Sequence, residues 1–206
     1  AAMLLVPHIR IARRVNDVMR NKFQIKLSRA VFAFGSIYPD LVKRNRTGYH
    51  DCKEALSTVY EYLREKPQSR WAESFRLGMI CHYLTDSFCE VHIRHEDYTL
   101  RQHLRYEREQ SRQIKAYLEH AAQAALQAEY PARYAALDSF LEAHQAFTRQ
   151  KRDFAQECEA AVANCVMVFH GLAPQGKVEK HRPGRLPVCR VPFARRWRLR
   201  RQTADV

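Results

Sequence analysis

Apolar residues at helical spacing are the feature that most limits how this 206-residue chain can fold. Ile11, Val15 and Val18 recur at helical intervals in the first segment, and the same period returns in the later segments. The chain contains only six glycines, which disfavours a turn-rich β architecture. The pattern therefore predicts an all-α fold, a multi-helix, bundle-like single domain.

The helical pattern is interrupted at a few points and then stops. We predict helices over residues 9–21, 26–34, 50–66, 72–89, 100–128, 132–147 and 153–171, with an irregular connection over residues 37–48. Beyond residue 172 four prolines break any helix and arginines become frequent. The sequence therefore predicts a helical domain over residues 1–172, followed by an irregular, basic Pro/Arg-rich tail over residues 173–206.

The tail carries most of the positive charge. The net charge of the chain is +13, and residues 177–201 contain ten lysines and arginines against one acid, Glu179. Such a balance favours an anionic partner: a phospholipid surface, a phosphorylated substrate or nucleic acid. Residues 193–201 alternate aromatic or aliphatic side chains with arginines. This pattern suits peripheral contact with an anionic membrane or stacking on nucleic acid, the alternative being a solubilising tail.

Cysteine usage and hydropathy bear on the cellular compartment. The six cysteines form no CxxC motif, so we expect buried thiols in a reducing compartment, an oxidised pair being the alternative. Residues 3–6 are too short a segment for the apolar region of a signal peptide, and no apolar run reaches transmembrane length. We therefore expect a soluble, cytoplasmic protein that can sit peripherally at a membrane surface.

Two pairs of side chains have the spacing of metal ligands on a helix. His82 and Asp86 are four residues apart and share one helical face, so both can reach the same ion. Because Asp86 belongs to the most apolar helix, its burial would be costly unless it is paired or bound to metal. His103 and Glu107 repeat this spacing, although Glu107 can instead form a surface pair with a neighbouring arginine.

Further candidate ligands surround these two pairs. A lone buried histidine usually does no more than donate to a backbone carbonyl, but here the candidates cluster by type and spacing. The full set is His8, Asp40, His50, His82, Asp86, His92, His103 and Glu107. Eight ligands are more than one tetrahedral zinc ion can bind, and they suit two or three ions that share carboxylates. On an unbroken helix His92 would point about 80° away from His82, so the helix must bend or end near Cys89.

The ordered set resembles the bacterial zinc-dependent phospholipase C family, which shares its fold with fungal single-strand-specific nucleases. The HYLTD run from His82 to Asp86, with His92 behind it, is similar to the family's HYLGD signature and trailing histidine. The H-x-x-x-E run from His103 to Glu107 resembles the motif that closes the family's second zinc site.

The N-terminal part of the chain extends this resemblance. The helix led by His8 looks like the family's N-terminal helix, and Asp40 and His50 match two ligands of its first zinc by their order along the chain.

The resemblance implies a division of the ligands among zinc ions. One zinc would be held by Asp40, His50, His82 and Asp86, a second by His92, His103 and Glu107, and a third by His8 with Asp86. In the family the third site is completed by the amine of an N-terminal tryptophan, and this sequence has no tryptophan before Trp71. We therefore expect two zinc ions, and a third only where water takes the place of that amine.

The resemblance also implies an activity. The expected enzyme is a zinc-dependent phosphodiester hydrolase of phospholipase C type, in which a metal-activated hydroxide attacks the phosphorus of a phospholipid or related phosphate ester. Asp40 is the candidate general base. Glu107, where an aspartate would be the other choice, favours the phospholipase branch. The alternatives are a zinc-dependent single-strand nuclease and a non-catalytic, metal-stabilised module that binds membrane or nucleic acid.

Overall fold

A computed structural model describes residues 5–42, 52–65 and 67–172. Within these ranges all regular elements are helical and no strand occurs, which confirms the predicted all-α class. The α-helices are α1 (Leu5–Phe23), α2 (Arg29–Gly35), α3 (Tyr38–Val42), α4 (Cys52–Arg64), α5 (Arg70–Asp86), α6 (Glu90–Ile93), α7 (Leu100–Gln127), α8 (Ala136–Thr148) and α9 (Phe154–Leu172). Two short 3₁₀ helices, His95–Asp97 and Arg133–Ala135, lie between them.

The helices pack around two neighbouring sets of contacts. Helices α1, α7 and α9 pack against one another, and α5 packs against α2, α4 and α9. Large aromatic side chains fill the space between the helices, among them the fully buried Phe32, Phe88, Phe140 and Phe169. Helix α5 is buried on nearly all sides in its last two turns, so the side chains that follow Ile80 face neighbouring helices.

Local signals in the sequence define where the long helices begin. Ser69 caps α5 by accepting a hydrogen bond from the backbone N–H of Ala72. Thr99 and Gln102 form a capping box at the start of α7, in which each side chain binds the backbone N–H of the other residue. Such caps satisfy backbone donors that have no partner inside the helix.

Helix α5 ends at Asp86, three residues before the predicted end, and a turn separates it from α6. Thr85 and Ser87 donate their hydroxyls to carbonyls four residues earlier, a local alternative to continuing the helix. The break confirms that the chain must bend or end its helix near Cys89. A second correction concerns residues 37–48, because Tyr38–Val42 form the short helix α3 where an irregular connection was predicted.

Helices α2 and α5 cross at unusually close range. A Cβ atom at Gly78 would lie 2.3 Å from the carbonyl oxygen of Phe32 and 2.9 Å from the Cα of Gly35. A Cβ atom at Gly35 would likewise lie 2.3 Å from the carbonyl oxygen of Phe75. Two glycines facing each other therefore allow backbone-to-backbone contact at this crossing.

Three sequence predictions reach beyond the fold. The tail over residues 173–206 lies outside the described residues, so its boundary and its role stay predictions. Of the five cysteines that the structure describes, four are buried and Cys52 is half-buried, and no disulfide joins any two of the five. The sulfur atoms of Cys81 and Cys165 lie 3.8 Å apart. None of the helices described is both long enough and apolar enough to cross a bilayer.

Candidate metal centre

Five helices bring seven of the predicted ligands together. Helix α5 carries His82 and Asp86 one turn apart, and α7 carries His103 and Glu107 with the same spacing. The remaining three come from short or terminal elements: His8 from α1, Asp40 from α3 and His92 from α6. The eighth candidate, His50, lies outside the described residues.

The first group consists of His8, Asp40 and His82, whose ligand atoms all lie within 4.8 Å of one another. The Nε2 atom of His82 lies 3.6 Å from Oδ1 of Asp40. The rings of His8 and His82 are tilted against each other with centroids 4.2 Å apart. Helices from opposite ends of the first hundred residues thus direct nitrogen and oxygen atoms to one point.

Asp86 lies at the centre of the whole set and uses its two oxygens differently. Its Oδ2 lies 3.3 Å from Nε2 of His82. Its Oδ1 lies 3.3 Å from Nε2 of His8 and 3.8 Å from Nε2 of His92. One carboxylate therefore faces three histidines from three different helices, the arrangement expected of a carboxylate shared between ions.

The second group consists of His92, His103 and Glu107. Oε1 of Glu107 lies 2.9 Å from Nε2 of His103 and 3.5 Å from Nε2 of His92. Burial disfavours the charged carboxylate, but the hydrogen bonds from the two histidines outweigh it and lower the pKa of Glu107 to about 2. Glu107 is thus ionised at neutral pH, and the surface pair considered as an alternative does not form.

The protonation of His82 suits a metal ligand. Its Nδ1 atom lies 3.0 Å from the carbonyl oxygen of Ser36. A carbonyl oxygen only accepts, so Nδ1 carries a proton and donates it. In the neutral ring this leaves the lone pair on Nε2, the atom that faces Asp40 and Asp86. Metal-binding histidines are commonly oriented in this way, by a hydrogen bond from the other ring nitrogen to a backbone carbonyl.

Two observations show that these residues fit zinc. Zinc–nitrogen and zinc–oxygen bonds near 2.1 Å at tetrahedral angles place ligand atoms about 3.3–3.5 Å apart. Most of the separations between histidine Nε2 and carboxylate oxygens fall in or close to that range, at 3.3–3.8 Å. Oε2 of Glu107 is buried and has no hydrogen-bond partner in the described part of the chain, a costly state that a cation would relieve.

The centre opens to solvent on the side of Asp40. The Asp40 side chain is 30% exposed, whereas those of His82 and Asp86 are almost completely buried. Of the seven gathered side chains, that of Asp40 is the most exposed. A substrate or water molecule that reaches the centre therefore meets Asp40 first.

Sequence reasoning missed Glu157, a buried acid on α9 that supports the second group. Its Oε1 accepts hydrogen bonds from the backbone N–H of Glu90 (2.8 Å) and from the Tyr106 hydroxyl. Its Oε2 accepts from the side chain of Gln110 at 2.8 Å. Glu157 thus ties α6, which carries His92, to α7, which carries His103 and Glu107.

A signal for Glu157 was present in the sequence. Glu157 lies one turn before Ala161 and two turns before Cys165, both buried, so it occupies the apolar face of α9. Burial raises the pKa of Glu157 to about 7 in spite of the hydrogen bonds that it accepts. An acid on the apolar face of a helix predicts a specific hydrogen-bond partner. Here the partners of Glu157 belong to α6 and α7, the helices that carry the second group of ligands.

Comparison with known families agrees with this geometry. The chain matches the family model described as zinc dependent phospholipase C over residues 7–160, a range that includes every gathered ligand and Glu157. No curated protein and no solved structure gives a match. Since the matched range covers well over half of the chain, the protein belongs to the zinc-dependent phospholipase C family. The predicted resemblance is thereby confirmed, and with it the general class of a zinc-dependent hydrolase.

Proposed function

We propose that the protein hydrolyses the phosphodiester of a phospholipid, or of a related phosphate ester, on the glycerol side of the phosphorus, so that diacylglycerol and a phosphorylated headgroup are released. The observation that carries this proposal is the position of Asp86 between His8, His82 and His92. Such a carboxylate can serve more than one ion, and adjacent metal ions are the usual apparatus for phosphodiester hydrolysis.

The proposed ligand groups follow the geometry and the family resemblance. Asp40, His82 and Asp86 would hold one zinc together with His50, and His92, His103 and Glu107 would hold a second. A third would lie between His8 and Oδ1 of Asp86. The proximity of His8 to Asp40 and His82 supports this close grouping of ions.

Each element of the reaction has a candidate in the site. When bound, zinc supplies positive charge for the phosphoryl oxygens and acidity for a water molecule. Asp40 would orient that water and accept its proton at a carboxylate oxygen, since it is partly open to solvent. Glu107 is ionised, so it would not have to lose a proton to bind zinc. The Ser36 carbonyl holds Nδ1 of His82, so Nε2 is the atom with which this histidine would bind the metal.

The experiment compares wild type with Asp86→Asn for zinc content and for hydrolysis. Zinc is measured by elemental analysis after dialysis against metal-free buffer. Hydrolysis is measured as diacylglycerol release from a short-chain phosphatidylcholine and as cleavage of single-stranded DNA. Loss of a carboxylate shared between ions should lower zinc content by at least one ion per chain and the rate by about 10³-fold. Asp138→Asn, an exposed aspartate on α8, is the matched control and should behave as wild type.

The possible outcomes separate the candidate functions. Zinc well below one per chain in the wild type, or activity untouched by Asp86→Asn, refutes the metal-centre proposal. Cleavage of DNA without release of diacylglycerol identifies the nuclease. Zinc binding without hydrolysis of either substrate identifies a metal-stabilised binding module.

The cellular location stays a prediction. We expect a cytoplasmic protein that meets membranes peripherally, because the sequence of residues 177–201 is basic and favours an anionic surface. Fractionation of cells that express the full chain tests it.

A further inference from the structure

A groove of about 620 Å³ lies between α1 and α2, beside the candidate metal centre. Apolar side chains and two arginines line it: Ile9, Arg13, Arg29, Ala30, Ala33, Phe34 and Ile37. Ile9 directly follows His8, and Ile37 precedes Asp40 by three residues. Ser36, the residue before Ile37, donates its hydroxyl to the carbonyl of His8, so this end of the groove lies beside the backbone of a candidate ligand.

Apolar side chains next to the groove are exposed to water. Phe34 is 48% exposed and Leu41 54% exposed. The backbone N–H of Leu41 donates to the carbonyl of Ile37, so Leu41 lies one turn beyond the groove residue Ile37, on the same side of the chain. A contiguous exposed apolar surface of this kind marks an interaction site more often than a surface that remains in water.

The charge on this part of the protein favours an anionic partner. Residues 5–42 contain seven lysines and arginines against two aspartates, whereas residues 43–172 contain eighteen of each sign. At the groove, Arg13 is exposed and forms no ion pair with another described residue. Arg29 lies 3.3 Å from Asp17. Residues 5–42 thus carry a net charge of +5, whereas residues 43–172 are neutral overall.

We propose that Arg13, Arg29, Phe34 and Leu41, here called the docking patch, bind the surface of an anionic phospholipid bilayer. Phe34 and Leu41 would enter the boundary between headgroups and acyl chains, and the arginines would remain among the phosphates. In this orientation the exposed side of Asp40 faces the headgroups. The inference rests on the proposed function, because it explains how a phospholipid reaches the metal centre from a membrane.

The test uses the full, zinc-loaded chain and two forms of substrate. One substrate is a vesicle of phosphatidylcholine and phosphatidylserine, and the other is a short-chain phosphatidylcholine below its critical micelle concentration. Two variants of the docking patch are compared with wild type: Phe34→Ser/Leu41→Ser and Arg13→Glu. Vesicle co-sedimentation and vesicle hydrolysis should each fall about tenfold or more. Hydrolysis of the dispersed short-chain lipid should stay at the wild-type rate.

Two control variants change similar side chains elsewhere. Tyr134→Ser removes an aromatic side chain that is 91% exposed, and Arg149→Glu reverses an exposed charge directly after the end of α8. Both should bind and hydrolyse vesicles as wild type does. Arg13→Glu and Arg149→Glu change the net charge equally, so a difference between them reflects position.

Several results would overturn the docking patch. Vesicle binding that survives both variants would assign membrane contact to other residues, such as the tail. Equal losses on vesicles and on dispersed lipid, or losses in the control variants, would show a general effect on the enzyme. If no form hydrolyses either lipid, the proposed function fails. Even then, selective loss of vesicle binding by the two patch variants would support the docking patch.

Discussion

The substitution Gly78→Ala tests whether the close crossing of α2 and α5 supports the metal centre. The added Cβ would lie 2.3 Å from the Phe32 carbonyl oxygen, where ordinary contact begins near 3.4 Å. The two backbones must therefore separate by about 1 Å. Overpacking of this kind costs about 1–3 kcal/mol, with the upper end expected where backbone must move. The better helix propensity of alanine returns up to about 1 kcal/mol.

The net expectation is a loss of about 2 kcal/mol in the free energy of unfolding, or roughly 4–8 °C in Tm for a domain of this size. The metal centre should also be affected. Ser36, whose carbonyl holds the proton of His82, directly follows Gly35 at the crossing. Displacement of such a partner typically weakens metal binding about 10- to 100-fold. Calorimetry and competition with a zinc chelator measure the two effects.

Gly171→Ala is the matched control. Its Cβ would lie 2.6 Å from the Cβ of Ala136, at the contact between α9 and α8, and none of the gathered ligands belongs to either helix. It should lower Tm without changing zinc affinity. The reasoning is refuted if Gly78→Ala unfolds at or above the wild-type temperature, or if both alanine variants lose zinc affinity equally.

Two further predictions concern the bound metal and the buried carboxylate of Glu157. Removing zinc with a chelator should lower Tm and restoring zinc should raise it, by up to about 4 kcal/mol of stability at a thousandfold excess over Kd; a Tm independent of zinc contradicts the metal centre. The pKa of Glu157 is raised from 4.5 to about 7, so its protonated form stabilises the fold below pH 4.5 and this contribution is lost as the pH rises through 7. Glu157→Gln cannot ionise, so its free energy of unfolding should fall less than that of wild type as the pH rises from 4.5 through 7. Urea titrations measure this free energy, and identical pH profiles for the two proteins would contradict the effect of burial on Glu157.

Much of the fold was open to prediction because helices are local structures. The apolar spacing that begins with Ile11 and Val15 predicts α1, and it identifies the later helices, except the short α3 and α6, within a few residues of their ends. The ends themselves depend on competition between local hydrogen bonds. Thr85 and Ser87 bind carbonyls of the preceding turn, and α5 therefore stops at Asp86.

The candidate site was predictable in pairs but not as a whole. A helix places residues four apart on one face, so the pairing of His82 with Asp86 and of His103 with Glu107 follows from spacing alone. The break before His92 was required for it to turn toward the same centre, and the structure confirms the break. Glu157 was missed because its partners lie on helices more than forty residues away in sequence.

By itself the sequence determined the helices, the ligand pairs and the family to which they belong, since each depends on the order and spacing of nearby residues. Only the tertiary structure decided that Asp86 faces three histidines, that the Ser36 carbonyl orients His82, and that an apolar groove with two arginines forms between α1 and α2. The physical reason is the separation in sequence over which each kind of interaction acts. The helical period relates residues within a turn or two, whereas the meeting of distant helices depends on close packing such as that of Gly35 with Gly78.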